Sequence, residues 1–203
     1  MAGLAAVNQI GESLVSLLRS RRDLLAAEGQ LGPVPAALDI SHASLSRLAT
    51  GNEPTAGLTI TCYRIAMSDH PTPRVAARNA ADGVSIAVEL HYLLAAWPSA
   101  TADEQAIISW AMLELAAHPV LDRSVLLGAN VWDRDETVQI VPDTVSDDSL
   151  FRIWDALQHK YRLSTTFRAR VVRIGYGPGA TWPPVVATRF GFANADPLTQ
   201  GGR

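Results

Sequence analysis

The sequence predicts a mixed α/β (α+β) domain, with a mainly antiparallel sheet flanked by helices and followed by a C-terminal arm. Three observations carry this. Val84, Ile86, Val88, Leu90, Tyr92 and Leu94 alternate with Ser85, Ala87, Glu89 and His91, which is the period of a strand. Residues 4–28 and 146–161 carry apolar stripes at helical spacing. After Gly175 both periods give way to Gly and Pro. The expected organisation is one domain over residues 1–175, the N-terminal helix included, and an arm over 176–203.

Val7, Ile10, Leu14, Leu17 and Leu18 form the stripe of the first helix. Arg19, Arg21 and Arg22 sit in its C-terminal half, where they complement the helix dipole or meet a carboxylate. Gly29, Gly32 and Pro33 break it. Pro35–Ile40 is expected as a short strand. Ser41 is expected to cap a short helix that runs through Leu48 and ends at Gly51, Asn52 and Pro54. Leu58–Met67 is rich in Thr, Ile and Tyr and predicts a strand pairing antiparallel with the one from Val84. The connection Ser68–Asp82 carries Arg74 and Arg78 and is long for a hairpin, a length that marks functional or mobile loops.

Pro98 stops the second strand. Thr101 with Glu104 predicts a capping box at the start of a helix to Ala117. That helix is apolar around most of its circumference and should pack on two sides. Pro119 ends it, Val125–Val131 has no clear period, and Glu136–Val141 predicts a short strand. Ser146 caps the helix Ser146–Tyr161, with Leu150, Ile153, Trp154, Leu157 and Tyr161 as its stripe and His159, Lys160 and Arg162 at its end. Thr165–Ile174 is the last strand. Arg168 and Arg170 share one face, and Arg173 falls on the apolar side, so a bulge is expected near Val172.

Composition narrows the function. The 203 residues include 48% hydrophobic and only 18% charged side chains, which suits a large core or surface buried against other subunits. The net charge of -3 provides no basic face for nucleic acid. No apolar run is long enough to span a membrane, and no signal-peptide pattern opens the chain, so cytoplasmic assembly is expected. The single Cys62 excludes an intrachain disulfide and is expected to be a buried, inert thiol.

The five histidines lack the spacing of a zinc pair, and no cofactor motif is present. Gly175-Tyr-Gly-Pro-Gly-Ala lacks the Lys of a phosphate loop. The acidic run after Trp132 lacks a calcium-loop pattern. Glu89 and His91 share a strand face and form the one acid/base pair a small-ligand enzyme would use. The chain offers no convincing catalytic constellation, which favours a structural role.

Four segments then bear on identity: Leu58-Thr-Ile-Thr-Cys-Tyr-Arg-Ile; Leu90-His-Tyr-Leu-Leu-Ala-Ala-Trp; the helix ending in Ala-Ala-His-Pro-Val-Leu; and Ser149-Leu-Phe-Arg-Ile-Trp-Asp-Ala-Leu. In that order they resemble the cap, or tail-terminator, proteins of bacterial contractile injection systems, which are phage-tail-like particles. The resemblance covers about Val34–Ile174. It implies a phage tail-terminator-like fold and a homohexameric ring at the end distal to the baseplate. Such a ring would bind the last inner-tube and sheath subunits and stop their polymerisation. A connector ring elsewhere in the particle is the alternative. Candidate interface residues are Arg74 and Arg78 in the long loop, Arg168 and Arg170 on the polar strand face, and Trp182, Val185, Phe190 and Phe192 in the arm. Longer relatives carry a further C-terminal region proposed to engage sheath, so sheath contact is less secure here than tube contact.

Overall fold

The computed structural model describes residues 2–49, 54, 56–68, 84–98, 100–132 and 136–176. Among the described residues ten elements follow one another: α1 (Ala6–Ala27), β1 (Ile40–His42), α2 (Leu45–Ala49), β2 (Leu58–Met67), β3 (Val84–Ala96), α3 (Thr101–Ala117), β4 (Val120–Leu121), β5 (Val138–Pro142), α4 (Asp147–Ala156) and β6 (Ser164–Tyr176). The strands form one six-stranded sheet in the order β1-β2-β3-β6-β5-β4. β1 pairs parallel with β2, and every other pair is antiparallel. The mixed α+β class expected from the alternating and helical periods is the class observed.

The alternation in β3 splits the core in two. Val88, Leu90, Tyr92, Leu94 and Ala96 face α1 and α3 and join Ile10, Leu14, Leu18, Ile107 and Ala111 in the larger cluster. Leu93, Ala95 and Trp97 face the other way, into a smaller cluster with Leu48, Trp154 and Leu157 from α2 and α4. The sheet is therefore covered on both faces, which is why β3 carries large apolar residues at odd and even positions alike.

Two bulges adjust the register. Cys62 opposes Tyr92 while Arg64 opposes His91, so Tyr63 is the extra residue in β2. On the other side Val88 opposes Val172 and Leu90 opposes Ala169, so the extra residue lies in β6 between Ala169 and Val172. The second bulge is the one Arg173 demands. It returns Val172 to the core and leaves Arg173 exposed.

Several local expectations are corrected. The short strand is Ile40–His42 rather than Pro35–Ile40, because β1 forms only where it finds β2 as a parallel partner. Ser44, not Ser41, caps α2 and accepts from the Arg47 amide. The capping box at Thr101 does not form: Ala100 is the N-cap, and no side chain caps α3. Asp103 and Glu104 still lie in its first turn, where they oppose the positive end of the helix dipole. β4 arises in Val120–Leu121, directly after Pro119, where only a helix stop was expected.

α4 is shorter than the stripe implied. Ser146 caps it as expected, accepting from the Ser149 amide. It stops at Leu157 because Gln158 adopts a left-handed φ of 57°. The Gln158 amide then donates to the Asp155 carbonyl and the His159 amide to the Trp154 carbonyl, which is a Schellman ending. Tyr161 thus leaves the buried stripe, and its ring lies half exposed against Phe151. His159 turns away to donate from Nε2 to the Leu48 carbonyl, tying the chain after α4 to α2.

The α1 arginines meet carboxylates within the chain. Arg21 Nε donates to Glu114 Oε2 of α3 at 2.8 Å, with the Glu114 carboxylate almost fully buried. Arg22 binds Asp23 and the Leu38 carbonyl, and Arg19 lies 3.7 Å from Asp39.

Gly11 lets β1 approach α1. A Cβ on Gly11 would lie 2.4 Å from the His42 imidazole, whose Nδ1 meets Glu12 Oε1 at 3.1 Å. Gly11→Ala would normally gain about 1 kcal/mol of helix propensity. Here overpacking outweighs that gain, and a net loss of about 1–2 kcal/mol is expected. Adding His42→Ala should relieve the clash, so in a double-mutant cycle by chemical denaturation the double variant will lose less than the sum of the two single losses; additive losses would contradict this packing.

Candidate interaction site

Beyond His91 on β3, toward Val84, the second face of the sheet changes from apolar to ionic. Glu89 and His91 of β3, Arg168 and Arg170 of β6, Asp143 after β5, and Tyr63 of the β2 bulge converge there. The bulges place them: each adds a residue on a strand flanking β3, close to where these side chains emerge.

His91 Nδ1 lies 2.7 Å from Asp143 Oδ2, which places the imidazole proton on Nδ1, because an ionised carboxylate only accepts. Tyr63 donates its hydroxyl to the same oxygen at 3.4 Å. Arg168 bridges both acids: Nη1 donates to Glu89 Oε2 at 3.2 Å, and Nε lies 3.1 Å from Asp143 Oδ1. The second contact is charge attraction, since the Nε hydrogen is not aligned on that oxygen. Arg170 Nε stands 3.8 Å from Glu89 Oε1, and Ser68 donates to the same oxygen at 3.3 Å. The Glu89 and Asp143 side chains are each only 10% exposed, so their charges need partners here.

Arg168 and Arg170, named as candidate interface residues, thus have acidic partners within their own chain. Glu89 and His91, expected to meet each other, each meet a different partner first. From the sequence Asp143 stands only among the acidic residues after Trp132 that lack a calcium-loop pattern, and Tyr63 has no site role. Asp143 follows Pro142 at a strand end, and Tyr63 becomes part of the cluster only through the bulge, which no sequence period announces.

Burial, reinforced by the Asp143 charge and hydrogen bond, pushes the Tyr63 hydroxyl up to about 12. An unfolded tyrosine ionises near about 10. Between those values the unfolded chain loses a proton that the folded chain keeps, so stability falls as pH rises through this window. Below it Tyr63 contributes no pH dependence. Tyr63→Phe should therefore flatten the alkaline part of the stability profile and remove amplitude near pH 12 from the tyrosinate absorbance titration. An unchanged profile would place Tyr63 outside the cluster. Burial also raises the thiol of Cys62, in keeping with an inert, partly buried side chain.

Next to Tyr63, between α2 and α4, lies an apolar groove of about 300 Å³ lined by Leu45, Ala49, Ile153, Ala156 and Leu157. Among the described residues no group of His, Cys, Asp and Glu could hold a metal ion. No helix among them is long and apolar enough to cross a membrane. Arg74, Arg78, Trp182, Val185, Phe190 and Phe192 lie outside the described residues.

Residues 9–188, most of the chain, match the family described as the Pvc16 N-terminal domain. The chain belongs to the Pvc16 N-terminal domain family. The match runs past the end of β6 and takes in Trp182 and Val185, but stops before Phe190 and Phe192. This Pvc16 N-terminal domain protein is similar to two solved structures. One is described as the sheath/tube terminator of PVC, an extracellular contractile injection system, in its extended state: 19% identity, TM-score 0.46, covering 90% of this chain and 65% of that one. The other is the tube-terminating cap of the anti-feeding prophage: 19% identity, TM-score 0.48, covering 84% of this chain and 60% of that one. The chain thus spans somewhat less than two thirds of each structure it resembles. No curated protein matches it.

Proposed function

We propose that this protein is a structural cap of a contractile injection system: a ring that binds the terminal tube and sheath subunits and ends their polymerisation. The observation that carries this reading is membership of the Pvc16 N-terminal domain family across residues 9–188. The ordered four-segment resemblance to cap proteins supports it. The names of the two similar structures agree with it, though the reading does not rest on them.

The physical logic is that of a helical stack. An open-ended stack keeps an unsatisfied interface at its tip, and a ring that fits this interface without copying it blocks the next addition. The chain would form a homohexameric ring, assembled in the cytoplasm, without catalysis or cofactor. Arg74 and Arg78 in the loop after β2 are the proposed contacts to neighbouring subunits. Arg168 and Arg170, held by Glu89 and Asp143, would keep the polar sheet face in shape.

Electron cryomicroscopy of particles from cells with and without this gene tests the reading. A ring of this chain is expected at the blunt tip, and particles without it should have irregular length or fail to assemble. Particles of normal length whose tip lacks this protein would refute it.

A further inference from the structure

At one end the sheet outruns its helices. Beyond Leu90, the face that is core elsewhere continues with Met67 opposite Val88 and Ile86 opposite Ile174. Met67 is 65% exposed, Ile65 55% and Ile86 40%. Three apolar side chains on adjoining strands thus form an uncovered continuation of the main core, where a strand face ordinarily turns polar.

β6 ends at this place. Tyr176 opposes Val84, only four residues along β3 from Val88, a distance of about 13 Å. The next residues, Gly177, Pro178 and Gly179, have the composition of a chain reversal. Trp182, Val185, Val186, Phe190 and Phe192 follow, an apolar content that the polar connection over residues 69–83 lacks. From Tyr176 to Trp182 the backbone spans up to about 20 Å, enough to reverse and reach Met67. The family match includes residues 177–188, so the first part of this segment belongs to the same domain as the sheet. A segment tethered at the edge of the face it covers acts at high effective concentration.

We propose that the segment Trp182–Phe192 packs back on the exposed β2–β3–β6 face of its own chain, over Ile65, Met67 and Ile86. The segment then completes the domain's main core. It is not a free arm offered to tube or sheath. This holds whether or not the protein caps a particle.

Thiol labelling of the full chain tests it. In a Cys62→Ala background, Met67→Cys reports the sheet end, and Leu113→Cys, on the exposed side of α3, reports a distant surface. Met67→Cys is expected to react about tenfold more slowly than the same variant carrying Trp182→Ser, Phe190→Ser and Phe192→Ser. Leu113→Cys should react equally in both, and Ala95→Cys, 1% exposed in the smaller core, should stay protected in both, which shows that the triple variant is folded. The protection should not change on dilution. Equal rates with and without the aromatic side chains would overturn the proposal. Protection that fades on dilution would assign the cover to a second copy and overturn it equally.

Discussion

Replacing Arg168 with methionine is expected to lower the unfolding free energy by about 3 kcal/mol, the lower end of the range for breaking a buried ion pair. The Arg168 side chain is a third exposed, which sets the effect at that end. Its two acidic partners are not exposed, and both would be left in a dry site with weaker support. Glu89 would keep Arg170 at 3.8 Å and the Ser68 hydroxyl. Asp143 would keep His91 and Tyr63. Lysine should not restore the loss, because one ammonium cannot serve Glu89 and Asp143 together as a planar fork does. Arg170→Met should cost less, since its contact is longer and reaches one acid only. Denaturant midpoints of the three variants give the comparison, and an unshifted midpoint for Arg168→Met would mean that the cluster is not a structural unit.

Trp154→Ala is expected to cost about 3–5 kcal/mol. Trp154 is 1% exposed and is one of the two tryptophans of the smaller core. Its ring meets Trp97 edge-on at 6.1 Å, and its indole N–H donates to Ser164 Oγ at 3.1 Å. Alanine removes the packing of α4 on the sheet and leaves Ser164 without that donor. Trp154→Phe keeps most of the volume and should cost markedly less. Calorimetric melting separates the two, and an unchanged melting temperature for Trp154→Ala would show that α4 is not anchored through this residue.

The long, strongly periodic elements were legible in the sequence. α1, β2, β3, α3 and β6 fall where their apolar periods put them, and β2 matches residue for residue. The bulge in β6 was legible too, because Arg173 had no place on a core face. What escaped was set by partners distant in sequence. β1 and β4 are two or three residues long and exist only through their neighbours in the sheet. The end of α4 depends on one left-handed Gln158, a conformation that glycine usually signals. In the cluster, Arg168 and Arg170 were visible as a pair on one face. Their acids were only partly so: Asp143 is 25 residues before Arg168 in a segment without period, and it joins them through the β5–β6 register.

The strand order carries a consequence for how the chain is made. β6, the last of the described strands in chain order, lies between β3 and β5. Until Ser164–Tyr176 emerges, β2–β3 and β4–β5 are separate pieces, each with a bare edge. Neither has its second neighbour in the sheet, and the acids Glu89 and Asp143 have no arginine between them. Closure is therefore a single late event with long-range pairing, the slow kind of β-assembly. A nascent or truncated chain that stops before Ser164 would present sticky edges rather than a smaller working domain, and would call for chaperone cover rather than fold by instalments.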